Sequence, residues 1–277
     1  LVDGSTYAHS VCELAGWAAV RSGAAVEVLH VLGRRDSVEN ADLSGSIRLG
    51  ARTALLEELA ELDARRARLV AQRGRAILDD AKKVLTGAGV AEVSARLRHG
   101  DLLEAFTGQG GSAEMVVIGK RGEAADFAKG HLGSNMERIV RATKLPVMVA
   151  ARAFRPIQKL LIAFDGGPSA QRAVQHVADS PLYKGLAVTL VTVGTVSTAL
   201  NNALEDAKAR LKNSGYAAEI QVLAGQPDVV LGKLVVDAGF DLLIMGAYGH
   251  SRIRSLIIGS TTTEMIRSCR VPVVLIR

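Results

Sequence analysis

The chain is poor in what a secreted, membrane-embedded or metal-centred protein needs. It has two cysteines, Cys12 and Cys269, far apart and without metal-ligand spacing. This excludes a disulfide framework and suits inert thiols in a reducing cytosol. The six histidines are scattered and form no pair at i, i+3 or i+4, so a helical metal site is not expected. No apolar run approaches the roughly 18 residues of a membrane span. The opening Leu1-Val2-Asp3-Gly4 lacks the basic and apolar regions of a signal peptide. No membrane partner is expected, and residence is expected to be cytoplasmic. Aromatic residues make up only 4%, which leaves no stacking set for nucleic acid and argues against a β-sandwich.

What remains is aliphatic and basic. The 277 residues are 48% hydrophobic and 22% charged, a length that suggests two domains. The net charge is +6 and the pI about 9.5. The arginines are spread along helical stretches and mixed with Asp and Glu, as around Arg65-Arg66-Ala67-Arg68. That pattern reads as a solvated helix face with a few phosphate-facing cations, so no nucleic-acid partner is expected.

Along the chain, helical and strand periods alternate. Helices are expected over 6–21, 51–85, 102–106 and 134–142 in the first half, and over 169–178, 198–212, 227–238 and 261–267 in the second. Strands are expected over 25–32, 92–98, 115–118, 146–150, 159–164, 186–193, 218–223, 241–245 and 272–276. Ser169 is the expected N-cap of its helix, and Gly74 the expected bend in the long one. That long helix reads as extra cover or a partner surface rather than a coiled coil, its apolar stripe being broken by Arg66, Arg73 and Gly74. The chain opens without Met at what reads as the end of a strand, Val2-Asp3-Gly4-Ser5, so residues upstream of Leu1 are expected.

The order repeats. Asp3-Gly4-Ser5 answers Asp165-Gly166-Gly167, and Gly119-Lys120-Arg121-Gly122 answers Gly246-Ala247-Tyr248-Gly249. Gly133-Ser134 answers Gly259-Ser260, and twelve residues beyond each serine stands Pro146 or Pro272. Such a long-period repeat fixes the architecture: two tandem α/β domains, 1–153 and 154–277, each a doubly wound parallel five-stranded sheet. The last strand of each invites pairing, either between the halves as a pseudo-dimer or with a second chain as a homodimer through terminal strands.

In that topology ligands bind outside the carboxyl ends of the strands. Asp165, Val193 and Gly246 lie at such ends. From Gly246 the chain runs through Gly249 to Gly259-Ser260 and a helix. Glycines let the backbone approach a ligand, and the helix start offers free N–H groups and the positive end of its dipole to a phosphate. Ser260, Thr261, Thr262 and Thr263 add hydroxyls there, and Arg252 adds a charge. No catalytic constellation accompanies the loop: no nucleophile elbow, no defensible carboxylate pair, no Walker lysine loop. This favours binding, with at most slow ATP hydrolysis.

The spacing Gly246-x2-Gly249-x9-Gly259-Ser260, with the upstream Asp165-Gly166, the duplication and the closing Pro-Val-Val strand, resembles the tandem type of the universal stress protein family. The resemblance covers essentially the whole chain. It implies flavodoxin-like domains paired through their last strands, cytoplasmic residence, a stress-response role and ATP, with or without Mg²⁺, as the ligand. It assigns Asp165 to the ribose or adenine side, Val193 to the adenine pocket and Met245 and Gly246 to the floor of the ribose region. Gly249, Gly259, Ser260 and Thr261 face the phosphates. The first half departs from the pattern, with ten residues rather than nine between Gly122 and Gly133. Its residues Asp3, Gly119, Gly122, Gly133 and Ser134 are expected to form a degenerate second site with the Gly-Ser end displaced by a few ångström, Lys120 and Arg121 still attracting phosphate. The alternative to a nucleotide-binding protein is a nucleotide-independent scaffold that binds an unidentified protein partner.

Overall fold

The computed structural model describes residues 1–33, 49–108, 113–123, 133–247 and 260–277, without the side chains of 49–54 and 260. The first half runs α1 (Ala8–Ser22), β1 (Val26–Leu32), α2 (Leu49–Gly87), β2 (Val93–His99), α3 (Leu102–Thr107), β3 (Val116–Gly119), α4 (Ser134–Ala142) and β4 (Val147–Ala150). The second runs β5 (Lys159–Ala163), α5 (Pro168–Asp179), β6 (Ala187–Val193), α6 (Thr198–Asn213), β7 (Ala218–Leu223), α7 (Pro227–Asp237), β8 (Leu242–Gly246), α8 (Ser260–Ser268) and β9 (Val273–Ile276), with a short 3-10 turn at Pro181–Tyr183. Strand and helix alternate as the sequence periods predict, with ends displaced by only a residue or two.

In the second half the strand order is β9-β8-β5-β6-β7, all parallel. In the first, β1 pairs with β2 and β3 with β4, also in parallel. The chain start joins these two pairs: Leu1 N donates to Val117 O at 2.8 Å and Val2 N donates to Leu29 O at 3.0 Å. Residues 1–2 thus stand where β5 stands in the second half.

The halves then meet edge to edge. β4 and β9 are antiparallel, with Val147 opposite Leu275, Met148 opposite Val274 and Val149 opposite Val273. Of the two pairings open from sequence, the one within the chain is realised. β9 lies between β4 and β8, and β4 between β3 and β9, so neither terminal strand offers an edge to a second copy. Side-chain alternation buries both faces of the sheet. Met148, Leu160, Ile162 and Val274 belong to one core; Val147, Val149, Leu161 and Val273 belong to the other. Each core runs across the join.

Two local details follow from packing. The helix runs unbroken through Gly74, α2 being one helix of 39 residues. A methyl group built on Gly74 would stand 2.8 Å from Leu97 Cδ1 and 3.1 Å from His30 Cδ2, so glycine here brings the helix down onto β1 and β2. Ser169 is not an N-cap. The cap of α5 is Gly167, Pro168 takes the first turn, and Ser169 is buried.

Candidate functional site

In each half the crossovers leave the first strand in opposite directions, which makes a topological switch point at its carboxyl end. In the second half this lies between β5 and β8, at Asp165 and Gly246. Asp165 is exposed and its Oδ1 accepts from Gly167 N at 2.8 Å, an Asx turn that reverses the chain into α5. Gly166 has φ +77, a conformation only glycine takes cheaply. A methyl on Gly246 would stand 2.7 Å from Ser169 Cβ and 3.4 Å from Ala170 N. Glycine there sets the end of β8 directly against the start of α5.

From the other side, Thr262 Oγ1 donates to Gly246 O at 3.2 Å. That side chain is 3% exposed, so Thr262 pins the first turn of α8 to the strand end instead of facing a ligand, contrary to its expected role as a free hydroxyl donor. Thr261 is half-buried at that turn and Val193 half-buried at the end of β6. The Met245 side chain is in the core with Leu161 and Leu243, so this position can offer only backbone to a ligand. Gly249, Arg252 and Gly259 lie outside the described residues, as does the side chain of Ser260.

In the first half, expected to hold the degenerate site, the switch point opens into a cleft of about 850 Å³. Its lining includes Asp3, Gly119, Arg121, Gly122, Gly133 and Ser134, all at strand ends or the start of α4. Asp3 ties the wall together: its Oδ1 accepts from Ser5 N at 3.0 Å and its Oδ2 from Glu123 N at 3.0 Å. A methyl on Gly122 would stand 2.9 Å from that Oδ2. The Gly-Ser end is tied to the strand end, Gly133 N donating to Lys120 O at 3.1 Å.

The two neighbouring cations part company. Arg121 is half-buried on the cleft wall and makes no hydrogen bond or ion pair among the described residues. Lys120 is 7% exposed and turns away to donate to the carbonyl of Cys269 in the second half. Burial, aided by the charge of Arg121, lowers its pKa. It is a tie between the halves and not the phosphate cation expected from its position.

Sequence reasoning missed the far wall. Asp101 caps α3, its Oδ1 accepting from Leu103 N at 2.9 Å and Glu104 N at 3.2 Å. Both carboxylate oxygens also take the Arg138 guanidinium, at 2.7 and 2.8 Å. The guanidinium and the two backbone donors hold the carboxyl below its usual pKa, and the carboxylate raises that of Arg138. The Asp101 cap was legible from Gly100-Asp101 before an apolar run; its partner, 37 residues on, was not. Arg73 of α2 forms an ion pair with Glu123 across the rim, above Gly4. Among the described residues no group of three or more His, Cys, Asp or Glu is placed to hold a metal ion, and no helix is long and apolar enough to cross a membrane.

The model of the universal stress protein family matches this chain twice, over residues 1–151 and 156–277. The chain belongs to that family. Universal stress protein Slr1230 of Synechocystis is 39% identical over 99% of this chain and 97% of its own length. The solved universal stress protein of Archaeoglobus fulgidus superposes with TM-score 0.73 at 18% identity, covering 100% of this chain and 96% of that one. A shorter solved family member, in complex with cAMP, covers 44% of this chain with 23% identity and TM-score 0.38, at 98% of its own length. Two tandem domains, expected from the repeat, of the flavodoxin-like fold that the resemblance implies, are this universal stress protein's architecture.

Proposed function

We propose that this universal stress protein is an ATP-binding member of the stress response, and that the nucleotide is a regulatory ligand, not a substrate. The observation that carries the reading is the convergence at one switch point of an aspartate-ended strand, a glycine-ended strand and a helix start. The second half has it at Asp165, Gly246 and Thr261, and its sequence holds the full glycine spacing through Gly249, Gly259 and Ser260 with Arg252 between. The first half repeats it at Asp3, Gly119, Gly122, Gly133 and Ser134. The cleft there, about 850 Å³, is within the range of small-molecule sites, and it pairs apolar walls such as Val11, Leu32 and Ile77 with the cation of Arg121.

The residues fit a nucleotide in class. The apolar wall suits a base and the aspartate a ribose hydroxyl. The helix start and Arg121 or Arg252 suit phosphates. Mg²⁺ would arrive on the phosphates. Without a sequence set for phosphoryl transfer, occupancy itself would act, by favouring one arrangement of the loops it touches over another.

Calorimetric titration with Mg²⁺-ATP tests this on nucleotide-stripped wild type, Gly249→Val and Gly122→Val. The wild type is expected to bind, and Gly249→Val to lose the second-half site because a branched side chain blocks close approach. A stoichiometry near two that drops towards one in either variant assigns a site to each half. No heat at about millimolar ATP, a binding energy of only about 4 kcal/mol, overturns the nucleotide reading.

A further inference from the structure

Ahead of its last turn before Gly74, where Val70 lines the cleft and Arg73 pairs with Glu123, α2 presents no buried side chain among the described residues. From Gly74 onward the helix is anchored, with Leu78, Ala81 and Leu85 in the core beside α1 and β1. From residue 55 to residue 73 no side chain is buried, although the segment is about 28 Å long at 1.5 Å per residue. Leu55, Leu56, Leu62 and Leu69 are 38, 51, 55 and 59% exposed, half of the large hydrophobic residues that the described surface leaves exposed. Leu55, Leu62 and Leu69 are seven apart and so form one line along the helix. A continuous exposed leucine line marks an interaction surface.

The charges beside that line select the occupant. Glu57, Glu58 and Glu61 precede Leu62; Arg65, Arg66 and Arg68 follow it. All six are exposed and none makes an ion pair among the described residues. Glu58 and Arg65, also seven apart, flank the leucine line on the same side. Arg66 flanks it on the other. Two such helices packed antiparallel about the level of Leu62 bring like flanks together. Leu55 then meets Leu69 of the other copy, and Glu58 lies level with Arg65 of the other copy, twice by symmetry. Packed in parallel, they would set Arg65 beside Arg66 and acidic turns on acidic turns.

We infer that the exposed face of α2, residues 55–73, is a self-association surface on which a second copy of this chain docks its own α2 antiparallel, giving a two-fold dimer of pseudo-dimers. The interface is isologous and closed. It does not use the terminal strands, which pair within the chain, and its leucine line and charged flanks, residues 55–69, lie outside the first-half cleft, to which α2 contributes only Val70, Arg73, Gly74 and Ile77, so it is independent of the nucleotide reading. One helix pair is at the small end of stable interfaces, which places the dimer among weak, reversible associations.

Sedimentation velocity on the full chain from about 1 to 200 μM, concentrations that bracket such an interface, tests the inference. Wild type is expected to shift from monomer to dimer. Leu62→Arg, which puts two cations at the two-fold level, is expected to stay monomeric. Glu58→Arg and Arg65→Glu are each expected to weaken the dimer about tenfold or more, and the double variant to restore it. Within one helix the two residues are about 10.5 Å apart along the axis, too far to pair, so rescue reports contact between copies. All three sites are exposed, and unchanged thermal unfolding of each diluted variant shows that its monomer is intact. A wild type monomeric throughout overturns the proposal, including the case in which α2 instead captures a different protein. So does a dimer that survives Leu62→Arg, or a double swap that fails to restore association.

Discussion

The two halves are built on one backbone plan and depart from each other at identifiable side chains. At the end of the first strand, Phe164 N donates to Val191 O at 2.8 Å, as Val2 N does to Leu29 O. One residue further on, Thr192 Oγ1 donates to Phe164 O at 2.7 Å. In the first half that acceptor, Val2 O, is met at 2.8 Å by Nδ1 of His30, a wholly different side chain. The polar tie survives because the buried carbonyl needs a donor, and the chemistry of the donor is free to vary. Glycine at the end of the fourth strand is not free in this way, because a neighbouring helix has taken the space of its side chain. The halves diverge most where they touch nothing equivalent: the crossover helix is 39 residues in the first half and 16 in the second, and Lys120 stands where the second half has Ala247.

The most damaging test of this shared plan is a valine at either strand-end glycine. A methyl at Gly246 meets Ser169 Cβ at 2.7 Å, and one at Gly119 meets Tyr7 Cβ at 2.9 Å. Both obstacles are Cβ atoms fixed to backbone, which cannot swing aside. Gly246→Val and Gly119→Val are each expected to cost roughly 3 kcal/mol, the upper end for overpacking, read as a lowered denaturant midpoint. If only one is destabilised, the two strand ends are not equivalent.

Next in size is the asymmetric tie. Lys120→Ala leaves the Cys269 carbonyl without its ammonium donor and opens a hole at the join, an expected loss of about 1–3 kcal/mol. Ala247→Lys does not create the mirror contact, since Ala247 is 1% exposed and an added ammonium would be buried unpaired. Thermal unfolding of both checks the asymmetry. Equal and small effects would mean that the tie does not hold the halves together.

Gly74→Ala separates the two roles open to that glycine. Alanine in a helix is favoured over glycine by about 1 kcal/mol, so a mere weak point in the helix would be stabilised by that amount. Here the new methyl presses on Leu97 Cδ1 and His30 Cδ2, the movable ends of side chains. The propensity gain is expected to be offset, leaving a net change near zero or a loss of up to about 1 kcal/mol in urea unfolding.

The pattern of successes in reading the sequence follows from what local pattern can encode. The strands and helices were legible because 2.0 and 3.6 periods are written residue by residue. The duplication was legible because glycine, aspartate and proline recur at fixed intervals. That the last strands pair with each other was left open, since an edge strand carries no mark of whose edge it meets. Lys120 and Thr262 were read as phosphate-facing donors, but packing turns them to the carbonyls of Cys269 and Gly246: position in sequence locates a side chain's root, and packing decides where it points. The Asp101–Arg138 pair and the Arg73–Glu123 rim depend on contacts 37 and 50 residues apart, for which a single sequence has no local signal.

The smallest expected effect compares two corresponding helix starts, those of α3 and α7. Asp101 caps α3 with φ −91 and ψ 135, and Gln226 stands at the same place before α7 with φ −90 and ψ 126, but makes no side-chain cap. The backbone is already in the conformation of a capping residue, so Gln226→Asp is expected to add about 0.5–1 kcal/mol without other change. Asp101→Asn keeps a capping side chain and gives up the Arg138 fork, an expected loss of about 0.5–1 kcal/mol for a partly exposed pair. The pH dependence has a definite sign. The folded-state pKa of Asp101 is depressed, first by Arg138 and then by the two backbone donors, so the contribution is complete above the unfolded carboxyl value of about 3.9 and fades as pH falls through the folded value. The stability gap between wild type and Asp101→Asn should therefore be flat from about pH 7 to 5 and narrow below about pH 4. A gap unchanged at low pH would mean that the loss does not come from the charge of the carboxylate, and would remove the Arg138 fork from the account.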